Sequence, residues 1–199
     1  MQKYKTVEQC KKLLDYFMLP ANSSGTENTM SKTTNGKYKI DDFKPSKLEK
    51  DPATGNYKDI AARVREIYSQ NCFMMDFFHV NIDKIQCGNC QVSLHIEHDK
   101  HSNHRNVVHG GVLTALADAV LGVTGASVGE KVITVSFSMN FIRNIEFGDT
   151  ARVISQIKSY NPKSMVIEAE MYDSEDRLMA TLLATMFNVG RFEGIPTKW

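Results

Sequence analysis

The chain has 199 residues, of which 42% are hydrophobic and 24% are charged, as is typical of a soluble globular protein. Its 24 basic and 23 acidic residues give a net charge of +1, so we expect neither nucleic acid nor an anionic membrane as a partner. The first residues contain no apolar core of signal-peptide length, and the chain has only four cysteines. These features predict reduced thiols and a cytoplasmic protein.

The first 70 residues have the pattern of an extension rather than of a compact domain. Apolar residues in residues 5–18 recur at the spacing of an amphipathic helix, and residues 58–69 repeat that pattern. The intervening residues 20–57 are polar and have the composition of a linker. We therefore predict an N-terminal extension of two helices and a polar linker over residues 1–70, and one domain over residues 71–199.

From residue 73 onward the hydrophobic period indicates strands. The segment QVSLHIEH alternates, and so does KVITVSFSMNFI, in which Thr134, Ser136, Ser138 and Asn140 are predicted to share the polar face. Three more strand patterns follow: TARVISQIKSY, SMVIEAEMYD and RLMATLLATMFNVG. The short intervals 161–163 and 174–176 between them are typical of hairpin turns. Short turns predict antiparallel neighbours.

One long apolar helix is predicted in the middle of these strands, from residue 110. The stretch 110–129 is long enough for a membrane span, but it contains five glycines and Asp118 and has strand patterns on both sides. A helix that is apolar all round is expected to be buried on every side. The simplest arrangement is an α+β fold, with an antiparallel sheet wrapped around a central helix. Such a sheet keeps an open face and an exposed edge, which a second copy could cover.

Two clusters suggest a metal site, but each has a simpler explanation. Cys87 and Cys90 have the spacing of zinc or redox ligands, but Gly88-Asn89 between them also fits a two-residue hairpin turn. Five histidines fall between residues 95 and 109 at irregular intervals, which is typical of a solvated polar loop. We therefore predict no bound metal.

Three segments together resemble a known family. They are NHRNVVHGGVLTALAD at 103–118, VSFSMNFIR at 135–143 and the Gly-Asp pair at 148–149. They are similar to hotdog-fold acyl-CoA thioesterases of the phenylacetate-pathway (PaaI-like) type, over residues 72–190. The resemblance implies a hotdog fold and an acyl-CoA substrate, with no cofactor because coenzyme A is part of the substrate.

The resemblance also implies roles for individual residues. Asp118 would be the general base or the nucleophile, and the backbone N–H of Gly110 would polarise the thioester carbonyl. Asn103 would help to hold that carbonyl, and Ser136 would orient the attacking water. His109 precedes the glycine pair and is expected to fix the loop by hydrogen bonding, with direct proton transfer as an alternative.

Substrate binding is assigned to two further positions. Gly111 shares the opening turn of the helix, where N–H groups have no internal partners and suit an oxyanion. Arg143 matches a family position and could bind a phosphate of coenzyme A. The structural alternatives are a backbone-capping carboxylate for Asp118 and ordinary surface positions for Ser136 and Arg143.

The spacing of Gly110 and Asp118 predicts an oligomer. Eight residues span roughly 12 Å along a helix, so the two groups of one chain cannot reach the same thioester carbon. If both act, they come from different copies, which predicts a homodimer with sites across its interface and allows a dimer of dimers (homotetramer).

The alternative function is a non-catalytic hotdog protein that binds acyl-CoA or a related ligand. A hydratase or dehydratase would need a differently spaced pair of catalytic residues, and the sequence offers no convincing one.

Overall fold

The computed structural model describes residues 46–199, so the helix predicted at residues 5–18 lies outside the described residues. The helices and strands follow in the order α1 (Ile60–Tyr68), a π-helix (Phe73–Phe77), β1 (Asn81–Gln86), β2 (Asn89–His95), α2 (His98–His101), α3 (Gly110–Ser127), β3 (Glu130–Phe141), β4 (Thr150–Tyr160), β5 (Ser164–Tyr172) and β6 (Leu178–Arg191).

The six strands form one antiparallel sheet in the order β1-β2-β4-β5-β6-β3, and α3 packs against it. The hairpin turns predicted at residues 161–163 and 174–176 lie between β4 and β5 and between β5 and β6. The predicted α+β arrangement of a sheet around one long helix is therefore confirmed. Because β3 pairs only with β6, this strand of 12 residues forms one edge of the sheet.

The hairpin between β1 and β2 is also present, but its turn lies one residue earlier than predicted. Gln86 pairs with Asn89, so the two turn residues are Cys87 and Gly88, and Gly88 adopts a φ of 72° that favours glycine. Cys90 is consequently buried in β2. Among residues 46–199, no three His, Cys, Asp or Glu side chains are grouped as metal ligands, so the zinc alternative gains no support there.

Helix α3 forms the centre of the hydrophobic core. The prediction that it is buried on every side is wrong for the isolated chain. Leu113, Leu116 and Leu121 are at most 2% exposed, whereas Gly111 and Asp118 are exposed. The reason is that a single curled sheet covers only part of the helix surface. The helix is long and apolar enough to cross a membrane, yet 56% of it is buried within the fold, as for the core helix of a globular domain.

Helix α1 confirms the second helical pattern of the sequence and packs onto α3. Asp59 caps its first turn by accepting a hydrogen bond of 2.8 Å from the N–H of Ala62. Ile60, Val64 and Ile67 on its inner side belong to the same core as α3. The domain boundary at residue 70 stays a prediction.

A β-bulge in β3 changes which side chains face α3. Thr134 pairs with Met186, but the next paired residue is Ser136, so Val135 is an extra residue in the strand and is 62% exposed. An extra residue shifts the alternation of side chains by one position. The predicted placement of Thr134 and Ser136 on the same face is therefore wrong.

Contacts with α3 confirm this shift along the strand. Before the bulge, Val132 packs against Gly125 and Thr134 contacts Asp118. After the bulge, Met139 contacts Thr114 and Phe141 packs against Gly110. The side chains of Ser136, Ser138 and Asn140 are exposed and make no hydrogen bond to α3. The bulge thus brings a hydroxyl to Asp118 while an apolar surface continues toward the start of α3.

Candidate active site

The first turn of α3 leaves one backbone N–H group without a partner. His109 is the N-cap residue, and its Nδ1 accepts a hydrogen bond of 2.9 Å from the N–H of Gly111. The carbonyl of His109 accepts a bond of 2.9 Å from the N–H of Val112. The N–H of Gly110 donates to no atom of residues 46–199. Gly110 therefore presents the free N–H at the positive end of the helix dipole.

A cleft of about 270 Å³ opens beside this N–H group. It is lined by Val108, Gly110, Leu113, Phe141, Ile142, Arg143 and Asn144. The exposed Arg143 side chain is held by one hydrogen bond of 2.9 Å, from its Nη1 to the carbonyl of Leu178. The structure thus places two of the predicted site residues, Gly110 and Arg143, in the same cleft.

The loop before α3 is organised by two other residues. The side-chain oxygen of Asn103 accepts a hydrogen bond of 2.8 Å from the N–H of Arg105, and the Asn103 N–H donates to the carbonyl of Val107 at 2.9 Å. Asn103 does not line either of the two clefts described here. In this conformation its amide oxygen holds the loop that leads to His109.

His101 supports the same loop from the interior. Its carbonyl accepts a hydrogen bond of 2.8 Å from the N–H of His109, and its Nδ1 accepts one of 2.9 Å from the N–H of Glu97. Burial lowers the pKa of His101, because the charged imidazole would lose its hydration. A neutral ring also suits Nδ1 as an acceptor, so the loop requires the deprotonated histidine.

Asp118 lies in a second pocket, of about 180 Å³, further along the helix. Its Oδ1 accepts a hydrogen bond of 2.8 Å from the hydroxyl of Thr134. The pocket is lined by Tyr68, Asn71, Phe73, Met74, Ala115, Asp118, Ala119, Gly122, Val132, Thr134 and Met186. Burial and the nearby carboxylate of Asp118 raise the pKa of Tyr68 above its ordinary value. This phenol therefore stays protonated at neutral pH.

Within one chain, the predicted site residues divide into separate groups. Gly110, Gly111, His109 and Arg143 lie at the start of α3, while Asp118 lies about two turns further along. The Ser136 side chain makes no hydrogen bond to any of them. Thr134, which does bind Asp118, was missed because the resemblance assigned the hydroxyl role to Ser136, two residues further along β3. Nothing in the sequence of β3 marks the bulge that separates the two.

Comparisons with known proteins agree with this architecture. The family model described as the thioesterase superfamily matches residues 105–180. A protein of Pseudomonas aeruginosa named "Putative esterase PA0474" is 31% identical over 93 residues, which are 45% of this chain and 68% of that protein. The chain belongs to the thioesterase superfamily.

Solved structures extend the similarity to the fold. The PaaI protein from the phenylacetic acid degradation operon of E. coli superposes with a TM-score of 0.63 at 19% identity, over 66% of this chain and 95% of that one. A hypothetical thioesterase from Streptococcus pneumoniae, solved with coenzyme A, gives a TM-score of 0.55 at 23% identity, over 58% of this chain and 92% of that one. The predicted hotdog fold is confirmed, and the predicted family is confirmed at the level of the thioesterase superfamily, whose general reaction is thioester hydrolysis.

Proposed function

We propose that this protein is an acyl-CoA thioesterase whose active site combines the free N–H of Gly110 with the carboxylate of Asp118. The observation that carries the proposal is the unpaired Gly110 N–H at the start of a helix whose only charged side chain is Asp118. Thioester hydrolysis needs both an activated nucleophile and a donor for the oxyanion. These two groups supply them.

The reaction follows from the chemistry of the two groups. In the general-base form, Asp118 takes a proton from water while the water oxygen attacks the thioester carbonyl carbon. The N–H of Gly110 stabilises the negative charge that develops on the carbonyl oxygen. The C–S bond then breaks, and the proton passes from Asp118 to the leaving thiolate of coenzyme A. In the nucleophilic form, a carboxylate oxygen of Asp118 attacks the carbonyl carbon, the C–S bond breaks, and coenzyme A leaves as the thiolate. Water then hydrolyses the resulting anhydride to the product acid and protonated Asp118, whose proton passes to the thiolate.

Thr134 orients the carboxylate in either form. Its hydroxyl donates a hydrogen bond of 2.8 Å to Oδ1 of Asp118, and Oδ2 is left for the water or the thioester. A hydrogen bond to an ionised acceptor is stronger than a neutral one, so the bond fixes the side-chain rotamer of Asp118. The role of water orientation that the resemblance assigns to Ser136 stays a prediction.

Each site is formed by two copies of the chain. Gly110 and Asp118 are separated by roughly 12 Å along α3, which is too far for one thioester carbonyl. The edge strand β3 carries exposed apolar side chains, namely Ile133, Val135 and Phe141, and a long apolar edge of this kind requires a cover. Pairing of β3 with β3 of a second copy covers it and forms a homodimer with two equivalent sites.

The positions of the contacts along β3 suggest the register of this pairing. Thr134 lies beside Asp118, and Phe141 lies beside Gly110. An antiparallel pair with its two-fold axis between Phe137 and Ser138 sets Thr134 of one copy opposite Phe141 of the other. Asp118 then faces the Gly110 N–H of the second copy, as the reaction requires.

The remaining parts of the proposal concern the substrate and the setting. Arg143, beside Gly110, is the candidate ligand for a phosphate of coenzyme A. The reaction consumes only water and needs no cofactor. The free thiols of Cys72, Cys87 and Cys90 suit a cytoplasmic protein. Exposed side chains on the outer face of the sheet, such as Leu183, are compatible with further association of dimers into tetramers.

The experiment that tests the proposal is a free-thiol release assay with acyl-CoAs of varied chain and ring. The proposal predicts release of coenzyme A by the wild-type protein and its loss in Asp118→Asn. Measurable binding without release of thiol from any of them would instead support the second candidate function, a hotdog protein that binds acyl-CoA without hydrolysing it.

A further inference from the structure

One side of the pocket beside Asp118 is formed by residues that lie outside the segment matched by the family model. Tyr68 ends helix α1, and Asn71, Phe73 and Met74 follow it; all four line the pocket of about 180 Å³ together with Asp118. The family model matches only residues 105–180. This wall is therefore contributed by a segment of the chain that the family match does not include.

The depth of the pocket is set by the ring of Tyr68. Its hydroxyl oxygen lies 2.6 Å from the point where a Cβ on residue 122 would stand, so the ring occupies the space that Gly122 leaves open. Gly122 follows Asp118 by four residues, roughly 6 Å along the helix axis. The pocket consequently ends about one helical turn beyond the catalytic carboxylate.

The neighbouring aromatic residues hold this wall in place. The ring of Phe73 stacks on that of Phe78, with centroids 5.1 Å apart, and Phe78 is buried. Asn71 accepts a hydrogen bond of 3.1 Å from the N–H of Met74, which fixes the turn between α1 and the π-helix. Because these contacts restrict movement of the segment, a ligand that is too long for the pocket is excluded by steric overlap.

Tyr68 packs against the core, but three other residues of α1 are enough to attach the helix to it. Ile60, Val64 and Ile67 already attach α1 to the core, and each is at most 5% exposed. Tyr68 is only half-buried, and its hydroxyl makes no hydrogen bond with any residue in 46–199. A ring that packs on α3 and lines the pocket beside Asp118 is placed for contact with a ligand.

We propose that Tyr68 is a specificity-determining residue that limits the acyl group to a short one. With the thioester carbonyl at Asp118, the acyl group extends toward Tyr68 and meets its ring within about one helical turn. This inference rests on the proposed function, which places the carbonyl beside Asp118.

The test is a competition between two acyl-CoAs, one with a four-carbon and one with a ten-carbon acyl group, in a single reaction. The ratio of their kcat/KM values does not depend on how much enzyme is folded, so partial misfolding of a variant does not affect it. The wild type is expected to favour the short substrate. Tyr68→Ala is expected to raise the long-to-short ratio by about tenfold or more, because added methylenes gain apolar contact.

Two further variants separate the ring from its other properties. Tyr68→Phe keeps the ring and is expected to leave the long-to-short ratio within about twofold of the wild type. This is a small change, because burial of a single methylene group already alters such a ratio several-fold. Tyr68→Leu keeps apolar packing on α3 but is shorter, and is expected to shift the ratio in the same direction as Tyr68→Ala. An unchanged ratio in both shortened variants, or a wild type that prefers the long substrate, overturns the proposal.

Binding measurements distinguish failure of this inference from failure of the proposed function. If the wild type hydrolyses no acyl-CoA, the proposed function fails, and calorimetry with non-hydrolysable thioether analogues of the same two lengths tests the wall instead. A long-to-short affinity ratio that rises about tenfold in Tyr68→Ala supports it, by the same gain of apolar contact. An unchanged ratio, or no binding of either analogue, overturns it.

Discussion

Thr134 donates its hydroxyl to Oδ1 of Asp118 at 2.8 Å, from the edge strand of the sheet to the central helix. This bond exists because Val135 is an extra residue in β3, which turns Thr134 toward the helix and Ser136 away from it. The bulge in the strand therefore determines which hydroxyl forms a hydrogen bond with the only carboxylate of α3.

We expect Thr134→Val to lower kcat/KM by about tenfold or more, since it removes a hydrogen bond to a charged group without a large change in shape. Ser136→Ala is the matched control and is expected to have a smaller effect. Steady-state kinetics of thiol release compares the two. A larger loss in Ser136→Ala would contradict the facing of side chains around the bulge.

The fold was predictable from the sequence because its signals are local and repeated. Strand alternation, short turns and one long apolar run together determine an antiparallel sheet around a helix. The bulge was not predictable, since Val135 is an ordinary strand residue and only its pairing with β6 shows that it is extra. The turn at Cys87 and Gly88 differs from the prediction by one residue for a related reason, because both Gly88-Asn89 and Cys87-Gly88 satisfy the glycine requirement.

The site was predictable at its ends but not in its pocket. Gly110 and Asp118 stand out because glycines open the helix and one charge interrupts it. Tyr68 and Asn71 carry no such signal, because they lie some 50 residues before Asp118 and reach it only through the packing of α1 on α3. Contacts between distant segments of this kind depend on tertiary structure and leave no periodic pattern.

Substitution of Gly110 separates its N–H from its small size. Proline is tolerated at the first position of a helix, and the extended backbone of His109, at φ −68° and ψ 125°, suits a following proline. Gly110→Pro thus removes mainly the N–H, and we expect kcat to fall by about 10²–10³-fold, as for loss of an oxyanion donor.

Gly110→Ala is the control for this loss. Its Cβ would lie 3.5 Å from Cζ of Phe141, an ordinary contact, and its N–H is retained. We expect most of the activity to remain. Equal activity in the proline and alanine variants would show that the Gly110 N–H does not stabilise the oxyanion.

The edge strand offers a direct test of assembly. Val135→Lys places a charge on the exposed edge of β3 and is expected to convert the dimer to monomers with loss of activity. Leu183→Lys changes a side chain that is similarly exposed, at 54%, on β6, which is paired on both sides. Sedimentation of both variants should show monomers only for Val135→Lys. A dimer that survives this substitution would require a different interface.

The buried His101 predicts a dependence of stability on pH. Burial lowers the pKa of His101 in the folded state below the value of about 6.5 in the unfolded chain. The unfolded state then binds more protons as the pH falls below that value, so the free energy of unfolding decreases toward acid. Asparagine at this position can still accept the N–H of Glu97 but cannot titrate.

Urea unfolding at pH 8 and pH 5.5, on either side of roughly 6.5, measures this effect. We expect the wild type to lose more of its free energy of unfolding between the two values than His101→Asn does. An identical loss in both proteins would show that His101 does not contribute to the pH dependence.

The central claim is that each active site joins Gly110 of one copy to Asp118 of another. Subunit complementation tests it directly: Gly110→Pro and Asp118→Asn chains, each inactive alone, are co-expressed with different tags, and the mixed dimer is purified. In that dimer one site combines an intact Gly110 with an intact Asp118, and the other site has neither. We predict about half of the wild-type activity per mixed dimer, from one of two equivalent sites. A mixed dimer as inactive as its parents would show that the two groups do not meet across the interface.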